Sequence, residues 1–169
     1  MNNLYIITGP AGVGKSTISK GNANTKKKSV VIEGDEKYHQ VVGGYVPAWK
    51  EGNHLDLFWK ICVMIIREYL ENGYDVVFNY IVKKNELETI KHEFKNYNIK
   101  FVVLLVEEET ILKRDKERPE DCQMKERCLV LLKEFKEQNF QEKYIVKTEN
   151  LSIEETIAEI ENNHKFIVQ

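Results

Sequence analysis

Hydrophobic residues along the chain alternate between short continuous runs and helical spacing. The runs predict five buried strands, at 4–8, 29–33, 75–82, 101–106 and 144–146. Helical spacing predicts helices over 15–20, 54–71, 85–97, 108–116, 124–138 and 152–162. Gly21, together with the following asparagines Asn22 and Asn24, should end the first helix early, and Ser152 with Glu155 forms a capping box for the last. Strands that alternate with helices predict an α/β fold with a parallel sheet covered on both faces.

A glycine-rich segment lies between the first predicted strand and the first predicted helix. Residues 9–16 read G-P-A-G-V-G-K-S and fit the phosphate-binding pattern G-x-x-x-x-G-K-[ST] in its required strand–loop–helix context. Glycines let backbone N–H groups surround an anion, and the helix N-terminus adds partial positive charge. We expect Lys15 to reach the β- and γ-phosphates of a nucleotide and the Ser16 hydroxyl to hold Mg²⁺. The predicted nucleotide-binding residues of the loop are Gly9, Pro10, Ala11, Gly12, Val13, Gly14, Lys15, Ser16 and Thr17.

Two acidic residues follow the second predicted strand. Ligands of parallel α/β sheets bind outside the carboxyl ends of the strands, the same edge as the phosphate-binding segment. Glu33 and Asp35 are two positions apart, so on an extended segment they point to one side. We expect Glu33 to bind magnesium-bound water and Asp35 to take the proton from an attacking hydroxyl. The alternative is a solvated strand end at which Asp35 starts a turn.

A basic segment follows the fourth predicted strand and a short helix. Arg114 and Arg118 are four residues apart and would share a helix face, and Pro119 should end that helix. Arg118 is predicted to fold over the transferring phosphoryl group and offset its charge. Arg114 would touch the phosphates or stack on adenine, and Arg127 is a further candidate. The alternative is a surface helix with salt bridges, because residues 107–120 carry many charges of both signs.

These segments make the chain resemble the P-loop NTPases. Within that superfamily, the phosphate-binding segment, Glu33-Gly34-Asp35 and the arginine run at 114–119 are similar, in this order, to the shikimate kinase, gluconate kinase and nucleoside monophosphate kinase group. They also resemble chloramphenicol phosphotransferase and the zeta-type toxins. The resemblance implies one three-layer domain over 1–169, with a five-stranded parallel sheet in the order 2-3-1-4-5. It further implies MgATP as donor, a mobile lid at about 114–127 and an acceptor-binding region at about 36–60.

Departures from these families leave the acceptor open. The chain lacks the F-R-x-x-E element of shikimate kinases, and its third predicted strand ends in Phe78-Asn79-Tyr80 instead of a glycine triplet. Asn79 stands where relatives often carry a carboxylate. His39 follows Gly34-Asp35 without the proline found in gluconate kinases, although a gluconate-kinase-like protein remains the nearest overall resemblance.

The segment 38–49 is rich in aromatic and hydroxyl groups and contains no arginine. It predicts a small polar or aromatic acceptor instead of a dianionic one. Trp49 and Trp59 can equally be packing residues, and the loop 148–150 is either an adenine contact, as in related kinases, or an ordinary turn. The predicted acceptor contacts are Asp35, His39, Tyr45, Asn79, Tyr80 and Arg127.

Composition narrows the class of partner. The 169 residues carry 25 basic and 27 acidic side chains, so no global basic field indicates nucleic-acid binding. The apolar runs are too short to cross a bilayer, and residues 1–20 lack a secretion pattern, so we expect a cytoplasmic monomer or homodimer with no membrane partner. The three cysteines lack metal-site spacing and should be reduced thiols.

The leading hypothesis is an ATP-dependent phosphotransferase that uses Mg²⁺ and acts on a hydroxyl of a small molecule. Lys15, Asp35 and Arg118 are its predicted catalytic residues, and Ser16 and Glu33 its predicted metal-binding residues. One alternative is a nucleotide or polynucleotide 5′-hydroxyl kinase, for which only residues 26–28 and Lys50 offer a basic surface. The other is an ATP-binding regulatory or toxin-like protein without a metabolic acceptor.

Overall fold

The computed structural model describes residues 2–117, 119–120 and 123–168. Its strands are β1 (Asn3–Thr8), β2 (Ser29–Glu33), β3 (Asp75–Asn79), β4 (Asn98–Leu105), β5 (Ile145–Lys147) and β6 (Ile167–Val168). Its helices are α1 (Lys15–Asn24), α2 (Gly34–Tyr38), α3 (Leu55–Glu71), α4 (Lys84–Glu93), α5 (Glu108–Lys116), α6 (Glu126–Glu137) and α7 (Ile153–Asn162).

The strands form one sheet in the order β2-β3-β1-β4-β5, and all neighbours on this path are parallel. The α/β fold and the predicted strand order are therefore confirmed. A sixth strand, β6, pairs antiparallel with the beginning of β4, whereas β5 pairs with its end. Sequence periodicity did not predict β6, because two residues are too few to show alternation.

Apolar side chains fill both faces of the sheet. Alternate residues point to opposite sides, so Ile6 and Ile7 of β1 belong to two different apolar clusters. α3 and α4 contribute to the cluster around Ile6, and α1, α5 and α7 to the cluster around Ile7. The result is a three-layer arrangement, in which helices cover both faces of the central sheet.

The prediction that Gly21 ends the first helix is wrong, because α1 continues to Asn24. A Cβ added at Gly21 would lie 2.3 Å from Cδ1 of Ile157 in α7. Gly21 therefore marks a close approach of two helices instead of a helix end.

Several other boundaries differ from the sequence prediction. β3 ends at Asn79 and not at Val82, whose backbone N–H donates to Oγ1 of Thr8 at 2.8 Å instead of extending the strand. α4 begins at Lys84, and the predicted cap at Asn85 is replaced by a Glu86 carboxylate that accepts from the Lys83 N–H. The remaining boundaries shift by a few residues, and the capping box of α7 is confirmed.

Within the described residues, no helix combines the length and the apolar character needed to cross a membrane.

The buried face of α3 allows a matched stability test. Ile66 is 1 % exposed, whereas Met64 on the same helix is 65 % exposed. We expect Ile66→Ala to lower the free energy of unfolding by about 3 kcal/mol, because it leaves a cavity under the sheet. Met64→Ala should change it by less than about 0.5 kcal/mol. Urea denaturation followed by circular dichroism measures both, and equal losses would contradict the packing of α3.

Candidate active site

The phosphate loop, defined as residues 9–16, connects β1 to α1. Gly9, Gly12 and Gly14 have positive φ angles of 149°, 87° and 95°. A side chain is strained in this region, and at Gly9 an added Cβ would also lie 2.4 Å from the backbone oxygen of Leu104. Lys15 Nζ donates to the carbonyl oxygens of Gly9 and Pro10, each at 3.0 Å, and so spans the loop.

Three side chains meet where β1, β2 and β3 end. Ser16 Oγ donates to Glu33 Oε2 at 3.0 Å, and Asn79 Nδ2 donates to the same oxygen. Glu33 and Asn79 are direct neighbours in the parallel register of β2 and β3. The other carboxylate oxygen, Glu33 Oε1, is buried and has no hydrogen-bond partner in the described part of the chain.

These donors fit a hydrated magnesium ion. A hydroxyl and a carboxylate supply oxygen ligands, and Mg²⁺ usually keeps several waters and binds through few protein groups plus phosphates. The unpartnered oxygen of Glu33 would accept from a metal-bound water, and Asn79 would hold the carboxylate in place. Asn79, which stands where related kinases often carry a carboxylate, thus supports the carboxylate of Glu33 through a hydrogen bond.

Asp35 does not lie on an extended segment, and the sequence argument for its orientation is therefore wrong. β2 ends at Glu33, and α2 begins at Gly34, so Asp35 lies in the first turn of a short helix. Asp35 nevertheless lines the same cavity as Lys15 and Ser16. No hydrogen bond or ion pair within the described residues engages its carboxylate.

The cavity beside the phosphate loop has a volume of about 490 Å³. It contains most of the predicted nucleotide and acceptor contacts. The predicted site residues along its wall are Ala11, Gly12, Gly14, Lys15, Ser16, Thr17, Asp35, His39, Tyr45, Asn79, Tyr80 and Arg127. Ala48, Trp49, Ile81, Met124 and Leu131 complete the wall together with Tyr38.

Aromatic rings form the side of the cavity opposite the phosphate loop. Tyr38 on α2 stacks on His54, with ring centroids 4.0 Å apart, and contacts Phe58 of α3 edge-on. Phe58 in turn packs against Tyr80, which follows β3. Burial, and then the negative charge of Asp35, raise the pKa of the Tyr80 phenol, so this hydroxyl stays protonated at physiological pH.

The arginines predicted for the lid occupy different places. Arg127, on α6, places its guanidinium carbon 4.6 Å from the ring centroid of Trp49. Arg114 donates to the carbonyl oxygen of Val13 at 3.2 Å and borders a second cavity of about 260 Å³ between the phosphate loop and α7. α5 ends at Lys116, in agreement with the predicted helix over 108–116 and three residues before Pro119. Arg118 lies outside the described residues.

Hydrogen bonds join the end of α5 to the residues that directly precede α6. The buried carboxylate of Asp115 accepts from the backbone N–H groups of Met124 and Lys125, at 3.0 and 2.7 Å. The second cavity is also lined by Thr148 and Leu151, so the loop after β5 and the phosphate loop border the same cavity.

Sequence reasoning missed some of the cavity wall. Tyr38 carried a usable signal, because it begins the aromatic segment 38–49 that was predicted to bind the acceptor. The sequence did not decide whether Trp49 is a packing residue or a functional one. In the structure Trp49 is 62 % exposed and contacts Arg127. Met124 and Leu131 reach the cavity from across the fold, and nothing in their local sequence indicates it.

No family model matches the sequence, and no curated protein matches it. Solved structures, in contrast, match over nearly the whole chain. A sugar kinase from Janibacter sp. HTCC2649 superposes with a TM-score of 0.69 at 15 % identity, covering 94 % of this chain and 91 % of that one. A gluconokinase from Sinorhizobium meliloti 1021 gives a TM-score of 0.61 at 21 % identity, covering 94 % and 89 %.

The chain has the fold of the P-loop kinases. The same fold recurs in a chain of the Pnkp1/Rnl/Hen1 RNA repair complex, with a TM-score of 0.61 and 22 % identity over 83 % of this chain and 46 % of that one. At such identities the likeness shows the fold alone, and the resemblance seen in the sequence to P-loop kinases is confirmed at that level.

Gly34 allows a test of how tightly the cavity wall is packed. A Cβ at this position would lie 2.6 to 2.7 Å from three atoms of Tyr80. Gly34→Ala should therefore lower the free energy of unfolding by about 1–3 kcal/mol through overpacking. MgATP affinity should persist, because the phosphate loop is untouched.

Gly43→Ala is the matched control, since no atom lies within 4 Å of an added Cβ there. Thermal unfolding and calorimetric titration with MgATP measure the two properties. A Gly34→Ala variant as stable as Gly43→Ala would show that Tyr80 does not pack against Gly34.

Proposed function

We propose that this protein is an ATP-dependent phosphotransferase that transfers the γ-phosphate to a hydroxyl group of a small molecule. One observation carries the proposal: the Asp35 carboxylate, which has no hydrogen bond or ion pair within the described residues, lines the same cavity as Lys15 and Ser16 of the phosphate loop. Ser16 in turn donates to Glu33. The fold shared with sugar and gluconate kinases supports the reaction class.

The nucleotide end of the cavity follows from the phosphate loop. Its backbone N–H groups and Lys15 would bind the β- and γ-phosphates, and Arg114 would border the base. When bound, Mg²⁺ would supply positive charge that neutralises the phosphate oxygens. Ser16 and Glu33 would hold the ion and its water shell, and the hydrogen bond of 3.0 Å between Ser16 Oγ and Glu33 Oε2 supports this assignment.

The acceptor end of the cavity follows from Asp35. An acceptor hydroxyl beside this carboxylate would attack the γ-phosphorus, its proton would pass to Asp35, and ADP would leave with the former bridging oxygen. Lys15 remains with the transferring group and stabilises its charge. Arg118 is the proposed further contact of that group, delivered by the segment between α5 and α6.

The basic run 26–28 does not support the polynucleotide alternative. Lys26 pairs with Glu161, and Lys28 donates to the carbonyl oxygen of Asn72 at 2.8 Å. Both precede the first residue of β2, at the edge of the sheet opposite the phosphate loop. They cannot line a groove beside Asp35, so a nucleic acid would need another basic surface.

Asp35 is tested by removing its charge. Asp35→Asn should lower acceptor-stimulated ADP release about 10²–10⁴-fold, because the amide cannot accept the hydroxyl proton. MgATP affinity should stay close to that of the original protein, since Asp35 lies at the acceptor end. Glu36→Gln is the matched control, because it removes an equal charge from the next exposed residue.

The assay uses a panel of sugar acids, polyols, nucleosides, nucleotides and an oligonucleotide as acceptors. Full activity in Asp35→Asn would remove the base assignment. MgATP binding without stimulation by any acceptor would favour the regulatory alternative. Stimulation by the oligonucleotide alone, falling steeply with salt, would favour the polynucleotide alternative.

Glu33 gives a separate test of the metal site. Glu33→Gln keeps a hydrogen-bond acceptor for Ser16 and Asn79 but removes the negative charge. We expect the Mg²⁺ concentration that gives half-maximal ADP release to rise about tenfold, because loss of an outer-shell partner typically costs 10–100-fold. Titrating Mg²⁺ at fixed ATP measures it, and an unchanged midpoint would exclude Glu33 from the metal site.

A further inference from the structure

We infer that the acceptor is an alcohol attached to a planar conjugated ring, which stacks on the Trp49–Arg127 pair while its hydroxyl meets Asp35. The inference rests on the proposed function and names the acceptor class of the same cavity. Three features carry it: the aromatic side chains that line the cavity, the few polar groups there that lack a hydrogen bond, and the Arg127 guanidinium, which contacts Trp49 but makes no side-chain hydrogen bond within the described residues.

The aromatic wall offers flat surfaces to a ligand. Trp49 is 62 % exposed and Tyr45 38 % exposed, and both line the cavity. Single exposed rings are common on protein surfaces, but these two rings border the same cavity and so form a continuous apolar surface there. A conjugated ring would bury the open part of Trp49 and gain stacking contacts that an aliphatic polyol offers more weakly.

Most polar atoms along this wall are already engaged. The Tyr38 hydroxyl donates to the carbonyl oxygen of Val46 at 2.7 Å, and His39 Nε2 lies 3.1 Å from the Tyr45 hydroxyl. Asn79 donates to Glu33. A polyol with hydroxyls along its whole length would lose water at the wall without gaining partners there.

Three polar groups along the acceptor wall have no hydrogen bond within the described residues: the Asp35 carboxylate, the Tyr80 hydroxyl and the Arg127 guanidinium. One of them, Arg127 Nε, is fully buried. Asp35 can serve one reacting hydroxyl. A guanidinium that stacks on a ring keeps its donors in its own plane, so it recognises a carbonyl oxygen, a ring nitrogen or a carboxylate at the edge of a planar ligand.

The pair of Trp49 and Arg127 therefore forms a layer that a planar ring can extend. Their separation of 4.6 Å matches a cation–π contact, and both members border the cavity. Aryl alcohols, heteroaryl alcohols and nucleosides share the required chemistry: a planar ring with an in-plane acceptor atom and an alcohol on a short arm.

The test compares acceptors in pairs that differ only in the ring. Uridine is paired with methyl riboside, and a phenyl-substituted propanediol with propanediol, with gluconate as a ring-free acid. We expect kcat/KM for acceptor-stimulated ADP release to be about tenfold or more higher for the ring-bearing member of at least one pair. Equal or higher values for the ring-free members or gluconate would overturn the inference and leave the phosphotransferase intact.

Variants of Trp49 test whether the preference for ring-bearing acceptors depends on the Trp49–Arg127 pair. Trp49→Ala should abolish most of the ring preference, mainly through KM, and Trp49→Phe should retain most of it. Because Trp49 is exposed, neither change disturbs the core. A preference that survives in Trp49→Ala would overturn the inference.

A binding measurement separates this inference from the proposed function. The chain contains two tryptophans, so Trp59→Phe leaves Trp49 as the only indole reporter. Ring-bearing alcohols should quench its emission saturably in the presence of MgATP, and their ring-free partners should not. Quenching without any ADP release would contradict the phosphotransferase and support the ring-binding layer, whereas ADP release without quenching would do the reverse.

Discussion

The carboxylate of Glu33 is the point on which the rest of the site depends. It joins the ends of β2 and β3 to the first turn of α1 through two hydrogen bonds, from Ser16 on α1 and from Asn79 at the end of β3. These contacts exist because parallel strands deliver their carboxyl ends to one edge, in register. Any shift of β2 against β3 would separate the Glu33 carboxylate from both partners, so the geometry of the site depends directly on the register of these strands.

The position of Glu33 also fixes where α2 begins, because this helix starts at the next residue, Gly34. Gly34 packs directly against Tyr80, which brings α2 close to the chain after β3. Asp35 consequently projects from a helix turn into the cavity, and Tyr38 on the same short helix joins the rings of α3. One stretch of chain therefore supplies both the Asp35 carboxylate and part of the aromatic surface of the cavity.

Local chemistry explains how much could be predicted from the sequence. The phosphate loop and its flanking elements were predictable, because glycine positions, Lys15 and Ser16 act within one turn of chain. The strand order came with the resemblance to kinases. Asp35 was expected at the edge of the sheet that carries the phosphate loop, and it lines the cavity there. Its backbone was expected to be extended but is helical, because the five-residue helix α2 is too short to show a helical period in the sequence.

The remaining misses are contacts between distant parts of the chain. Gly21 has the composition of a helix end, yet in the structure it accommodates Ile157 of α7. The approach of Arg127 to Trp49 joins two segments far apart in sequence, and neither segment has a pattern that indicates the other. Single-sequence periodicity reports which side of an element is apolar, and it carries no information on which polar or aromatic groups meet across the fold.

The pairing of β6 has a consequence for solubility. β4 is longer than β5, so β5 covers only its last residues, and β6 covers residues 99–100 near its beginning. An uncovered apolar strand of this kind would be a template for edge-to-edge association between molecules. The two residues of β6 cover the backbone groups of Ile99 and Lys100, so a chain shortened before residue 167 would leave these groups open to pairing with another molecule.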